Sequence, residues 1–315
     1  MHDVTVVIPC FNAGSFLADA VQSAQMQSGD GFRVAEIVVV DDRSDDPLTL
    51  KTLRSLKEPA RVVTNGRERG PGGARNFGAS VSTSKYLTFL DSDDILPPGS
   101  LACRFAALQM AQGPAFVGAD FTLWWGSDRF EDDGFFRTRE RPSRLLKEAF
   151  ANNSPIRLPR PYVAFLEATL CHCGTVLMER ELFSETGGFD ESLRFCEDHL
   201  FFIRLATRAD YIFVPTVAMW YRQHENSITS GLISGEFCPT EKYSRALRRW
   251  LEVEPGAPTH ELVRRRIQSL EVESARWYRL HERYREAMQA SRRALAIDFT
   301  SRPAWRELVA GVVRR

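Results

Sequence analysis

No segment of this 315-residue chain is apolar for long enough to cross a bilayer, so any contact with a membrane is expected to be peripheral. Excess charge is absent too: 41 Lys and Arg balance 41 Asp and Glu, and nucleic acid is not expected as a partner. Cysteine is scarce. Its six residues are scattered and no secretory leader precedes them, which points to a reduced cytoplasmic protein and not to a disulfide scaffold. Cys171-His172-Cys173 has metal-type side chains, but no second Cys pair has zinc spacing. Side chains so close along a strand point to opposite faces, and the run is read as a packed strand. Gly70-Pro71-Gly72-Gly73-Ala74-Arg75-Asn76 lacks both the terminal Gly-Lys-Ser/Thr of a Walker loop and the spacing of a dinucleotide fingerprint. Its glycines are read as a tight entry into a helix, leaving free amides and Arg75 able to face an anion.

Apolar residues make up 43% of the chain, ample for a large core. Val4-Thr5-Val6-Val7-Ile8-Pro9, Ala35-Glu36-Ile37-Val38-Val39-Val40 and Tyr86-Leu87-Thr88-Phe89-Leu90 are short, near-continuous apolar runs, the habit of parallel strands buried on both faces. Between them, Ser15–Gln27 carries Phe16, Leu17, Ala20, Val21 and Ala24 on one helical stripe, with Ser15 as a candidate N-cap. Asp46-Pro47 opens a second helix through Leu48, Leu50, Leu53 and Leu56, and the glycine-rich stretch opens a third. This alternation predicts an α/β fold with a mostly parallel central sheet flanked by helices. Two of the strands end in acids: Asp41-Asp42, and Asp91-Ser92-Asp93-Asp94. Ligands of such sheets bind beyond the strand carboxyl ends, and crowded carboxylates there suit a hard divalent cation; a solvated turn is the alternative reading.

In order along the chain, Val4–Asn12, Val39–Ser44, Ala74–Gly78, Phe89–Asp94, Gly187-Gly188-Phe189-Asp190-Glu191, Glu197-Asp198 and Tyr221-Arg222-Gln223-His224 resemble the motifs of the family 2 inverting glycosyltransferases of the GT-A fold. The resemblance covers roughly Val4 to Ser230 and implies a transfer from a nucleotide-diphosphate sugar, a UDP-sugar by expectation, to the hydroxyl of a saccharide, a lipid-linked saccharide or a protein. It implies a nucleotide-sugar site at Pro9, Phe11, Asn12, Asp41, Asp42, Arg75, Asp91 and Ser92. Asp93, Asp91 and His224 would hold Mn²⁺ or Mg²⁺. Asp198 would be the catalytic base with Glu197 supporting it, and Gly188, Phe189 and Asp190 would meet the acceptor. From position alone, Glu197 and Asp198 also fit as acids in a first helical turn. The catalytic domain is expected over 1–240, with a donor half to about 120 and an acceptor half after it. A catalytically silent sugar-nucleotide-binding module and a nucleotidyltransferase are the competing readings.

Phe121–Leu170 is read as an insertion near the acceptor, with Trp124, Trp125, Phe135 and Phe136 either core or sugar-stacking. A helical extension is expected over 241–315, where 17 Lys and Arg outnumber 10 Asp and Glu. Glu254-Pro255-Gly256-Ala257-Pro258 reads as a linker, followed by helices over 261–280, 283–297 and 303–313. Tyr284, Ala287, Ala294, Leu295, Ala304, Trp305 and Leu308 have the spacing of one tetratricopeptide-type hairpin, with Phe299 where that pattern has Pro. One such unit cannot bury its own face, so packing on the catalytic domain or on another subunit is expected.

Overall fold

The structure, a computed structural model, describes residues 1–126, 129–131, 133–225, 227, 237–253 and 260–313. It divides into two units, Met1–Gln223 and His224–Arg315, a division upstream of residue 241.

The first unit is built on an eight-stranded sheet. Strands β1 (His2–Cys10), β2 (Phe32–Asp41), β3 (Ala60–Thr64) and β4 (Tyr86–Phe89) are parallel and lie in the order β3-β2-β1-β4. The apolar runs form them because both faces are covered: Val4, Val6, Val7, Ile8 and Ile37 to Val40 are fully buried. The first three crossovers carry α1 (Phe16–Gln25), α2 (Pro47–Ser55) and α3 (Pro71–Val81), and α4 (Ser100–Gln109) follows β4. Asp46 caps α2 by accepting from the Thr49 N–H at 2.7 Å, with Pro47 just inside. Ser15, by contrast, precedes α1 in helical conformation and makes no side-chain cap, which corrects the expectation for it. Gly78 lets α3 lie against the sheet: a Cβ there would fall 2.9 Å from a methyl of Val40 and closer still to Val7.

Beyond β4 the sheet turns mixed. β5 (Ala115–Trp124) is followed by short helices α5 (Phe135–Thr138), α6 (Glu140–Leu145) and α7 (Lys147–Asn152), by β6 (Ile156–Leu158) and by α8 (Tyr162–Glu167). Strand β7 (Leu177–Glu179) runs antiparallel between β4 and β5; α9 (Arg180–Thr186) and α10 (Glu197–Arg208) lead to β8 (Asp210–Arg222), which is parallel to β5 and carries β6 on its far edge. The aromatic insertion is mainly core: Phe121 stacks on Phe135 at 4.5 Å between centroids, and Phe136 and Phe165 are buried. Cys171-His172-Cys173 is not a strand. Cys173–Thr175 forms a single 3-10 turn capped by His172, because the His172 ring and the Thr175 hydroxyl offer the backbone closer partners than a neighbouring strand does.

The second unit contains helices Pro239–Val253, His260–Leu280, Tyr284–Ile297 and Arg302–Val313. The first of these begins two residues ahead of the expected helical extension, and the 254–258 linker lies outside the described residues. Its helices are tied by a buried carboxylate: Glu271 accepts from Ser244 Oγ at 2.7 Å, Arg248 at 3.0 Å and Arg293 at 2.8 Å. Ala287, Ala294, Leu295 and Ala304 of the hairpin pattern are buried, whereas Phe299 and Trp305 are exposed. Among the described residues, no helix of either unit is long and apolar enough to cross a membrane.

Candidate active site

Chain order places a crevice where β2 and β3 fan out from one side of β1 and β4 joins it on the other, the point at which open α/β sheets bind ligands. The end of β1 contributes Pro9, Phe11 and Asn12. Pro9 is paired with Val40, and exposed Phe11 lies under the Arg69 guanidinium at 5.1 Å. Asn12, at a positive φ of 49°, accepts from the N–H groups of Asp45 and Asp46 and donates to the Asp45 carboxylate at 2.7 Å, so it clamps the loop after β2. In that loop Asp41 receives the Ser44 N–H at 3.0 Å. Asp42 faces inward: it is buried, with one oxygen on Asn65 Nδ2 at 2.7 Å and the other on the Gly70 N–H at 2.8 Å. These two bonds fix the glycine-rich entry to α3.

Arg75 is the hub. Its guanidinium is buried on α3 and forks to two carboxylates, Nη2 to Asp91 Oδ1 at 2.6 Å and Nη1 to Glu197 Oε1 at 2.9 Å, with the Phe189 ring 5.4 Å away. Burial works against its charge, but Asp91 and Glu197 outweigh that and hold its pKa well above the ordinary value. Burial likewise opposes ionisation of Asp91, and the Arg75 charge and hydrogen bond overcome it, holding the carboxyl below the usual range. The anion Arg75 faces is thus supplied by the chain itself. Asn76, its neighbour, takes the Phe189 N–H and donates to the Phe189 carbonyl and the Glu191 carboxylate, pinning the Gly-Gly-Phe-Asp loop onto α3. Gly188 has φ +68°, and a Cβ on it would collide with the side-chain oxygen of Asn76. The Phe189 ring is core, 4.4 Å from Phe201 between centroids, so it supports this loop from beneath. Asp190 receives the Ser192 N–H at 3.0 Å.

Glu197 and Asp198 open α10 after Cys196, which sits at φ 60°. Burial, then the Asp198 charge, pushes Glu197 up to about 7. Burial also raises Asp198, which is half-buried and receives the His199 N–H at 2.7 Å. Two adjacent carboxyls share the cost of one desolvated corner, and Arg75 relieves only the Glu197 side directly.

Asp91, Ser92, Asp93 and Asp94 form a tight turn, in which the Asp94 N–H reaches the Asp91 carbonyl at 3.1 Å. Asp94 is completely buried. Its Oδ1 takes the Arg222 N–H at 2.9 Å, its Oδ2 has no hydrogen-bond partner, and burial, Asp93 and Asp91 raise its pKa well above normal. Arg222 joins this turn to the rest of the site. Its guanidinium donates to the Asp93 carbonyl at 2.6 Å and to Asp19 at 3.0 Å, between the rings of Phe16 at 4.4 Å and Trp124 at 4.3 Å. Nothing local marks it, because its partners lie on three other segments: the turn after β4, α1 and β5. Ser92 is half-buried in the same turn.

Among the described residues, no group of three or more His, Cys, Asp or Glu side chains is placed to hold a metal ion. The acids nevertheless fit one: three carboxylates in one turn repel each other and leave a buried oxygen orphaned, which a divalent cation would relieve, with diphosphate and water oxygens completing its shell. His224 is the first residue of the second unit.

The first unit is thus a GT-A type nucleotide-diphospho-sugar transferase fold, with acids at the switch point and a carboxylate pair at the start of α10. Residues 5–187 match the family described as Glycosyl transferase family 2, and the chain belongs to it. Over 238 residues it is 29% identical to the succinoglycan biosynthesis protein ExoO of Rhizobium meliloti, covering 72% of this chain and 62% of that protein. It is 32% identical over 105 residues to a GalNAc(5)-diNAcBac-PP-undecaprenol beta-1,3-glucosyltransferase of Campylobacter jejuni, covering 32% of this chain and 33% of that one. The chain therefore spans less than two thirds of either relative. S. aureus TarS 1-349, solved in complex with UDP-GlcNAc, shares the fold with a TM-score of 0.61 at 15% identity, over 98% of this chain and 89% of that one.

Proposed function

We propose that the protein is a metal-assisted, inverting glycosyltransferase that moves a sugar from a nucleotide-diphosphate donor, UDP-linked, to an acceptor hydroxyl in polysaccharide or glycoconjugate synthesis. The observation that carries this is the Arg75 fork, which sets the acidic turn after β4 and the carboxylate pair of α10 on two sides of one guanidinium. An inverting displacement needs that arrangement: leaving-group chemistry on one side, a base on the other. Asp41 and the β1 end would hold the nucleotide. Asp93 and Asp91, with His224, would hold Mn²⁺ or Mg²⁺, which when bound stabilises the charge on the departing diphosphate. Asp198 would accept the proton of the attacking hydroxyl; Glu197, tied to Arg75, keeps the start of α10 in place. Residues 1–120 would serve the donor and 121–240 the acceptor. The relatives' names point to saccharide and lipid-linked acceptors, which a cytoplasmic enzyme would meet at the membrane surface.

The test is calorimetric titration with UDP, GDP, dTDP and ADP, each with Mn²⁺, Mg²⁺ or EDTA. Binding of UDP that disappears in EDTA supports the reading. Binding of another base reassigns the donor, and binding of none sinks the proposal in favour of a silent module.

A further inference from the structure

His172 lies at the same crevice and has had no role beyond capping its own turn. The antiparallel register of Leu177 with Thr88 carries the residues before Leu177 past the end of β4, toward Asp91. The Thr88 hydroxyl donates to the Val176 carbonyl at 2.6 Å, and buried Arg104 donates to the Gly174 carbonyl at 3.2 Å, so this turn is held on the sheet. Gly174 has no room for a side chain, since a Cβ would collide with the Met219 sulfur. The His172 ring is walled by Phe121 at 5.1 Å and Tyr221 at 5.3 Å between centroids, from the carboxyl-terminal parts of β5 and β8. The charges that bear on it are those of the site itself: Asp91, Arg75, Asp93 and Glu197.

Its tautomer is set. The Gly174 N–H donates to Nδ1 at 3.1 Å, while the His172 N–H donates to the Thr175 hydroxyl at 3.2 Å. A nitrogen that accepts the Gly174 N–H carries no proton, so the ring is neutral, and burial works in the same direction. A neutral imidazole that accepts at Nδ1 carries its proton on Nε2. Among the described residues the one hydrogen bond of the ring is at Nδ1, no protein acceptor takes the Nε2 N–H, and none of them joins His172 in a metal-holding group. A half-buried, rigidly mounted donor beside the acids and Arg75, with no internal partner, is what a site needs for an uncharged contact to substrate oxygen.

We propose that His172 Nε2–H donates a hydrogen bond to an oxygen of the nucleotide-diphosphate sugar, either a phosphoryl oxygen or a hydroxyl of the transferred sugar. This rests on the glycosyltransferase reading above. Two variants separate the contact from the cap. His172→Asn keeps an oxygen for the Gly174 N–H and loses the far donor; His172→Phe keeps the aromatic packing and loses both nitrogens. Each is titrated by calorimetry with UDP and with UDP-GlcNAc, UDP-glucose and UDP-galactose in Mn²⁺, beside the wild type, after its unfolding midpoint has been recorded.

Both variants should bind the preferred UDP-sugar about tenfold or more weakly. Equal loss for UDP assigns the phosphoryl oxygen, and loss confined to the UDP-sugar assigns the sugar hydroxyl. If His172→Asn keeps its unfolding midpoint and binds both ligands within about twofold of wild type, the proposal is wrong while the glycosyltransferase reading stands. A wild type that binds no nucleotide diphosphate overturns both. Should His172→Phe fail to fold, His172→Asn alone decides.

Discussion

Arg75→Met tests the hub most directly. Arg75 is buried, and it neutralises Asp91 and Glu197 at 2.6 and 2.9 Å. Methionine fills much of the same volume but strands two carboxylates, and breaking a buried pair by removing one partner costs about 3–5 kcal/mol. The deficit must depend on pH, and its sign follows from Asp91. In the wild type the folded-state pKa of Asp91 is depressed, so its stabilisation is present above the unfolded value and lost as pH falls through the folded one. In the variant only burial remains, the folded pKa rises above the unfolded value, and ionisation of Asp91 opposes folding. Folded variant then binds a proton that the unfolded chain has released, so its stability falls by about 1.4 kcal/mol per pH unit over that range. Glu197, already pushed up to about 7 in the wild type, adds to the difference only above that pH. Urea unfolding in EDTA, followed by a signal from the first unit, should therefore show a larger deficit at pH 8 than at pH 5. Arg75→Lys should sit between the two, because an ammonium cannot fork to both acids. A deficit below about 1 kcal/mol, or one equal at the two pH values, would refute the reasoning.

Asp198→Asn should lower the transfer rate by about 10²–10⁴-fold and leave donor affinity unchanged in calorimetry; near-wild-type turnover would remove Asp198 from the mechanism. Asp93→Ala should weaken UDP binding in Mn²⁺ and not in EDTA, and identical affinities in both conditions would refute the metal assignment. With burial raising Asp198, kcat should fall on acidification through a pKa above that of an ordinary carboxyl, and a profile flat down to pH 4.5 would argue against a buried base. Gly78→Ala should destabilise the first unit by about 1–3 kcal/mol, because its Cβ would fall on Val7 and Val40; an unchanged urea midpoint would show that α3 can shift away from the sheet.

What was legible in the sequence was whatever a short window can carry. Val/Ile runs buried on both faces announce parallel strands, and Asp46-Pro47 announces a helix start, because the physics of each is settled within a few residues. Acids at the ends of β2 and β4 could be placed at a ligand-binding edge for the same reason. Ser15 failed as a cap because its backbone is already helical, a tertiary outcome that residue type does not reveal. Asp41 and Asp42 are neighbours of like chemistry, and only the fold separates them: one stays at the strand end, while Asn65 and the Gly70 amide draw the other inward. The same holds for Phe189, whose burial against Phe201 and Phe183 no neighbouring residue in the sequence announces. Arg75, Arg222 and His172 are the strongest cases. Each draws its function from groups on distant segments, and none carries a periodicity, a cap signal or a composition that would mark it. A residue that joins two halves of a site is therefore read late, from geometry, even when it stands inside a recognisable motif.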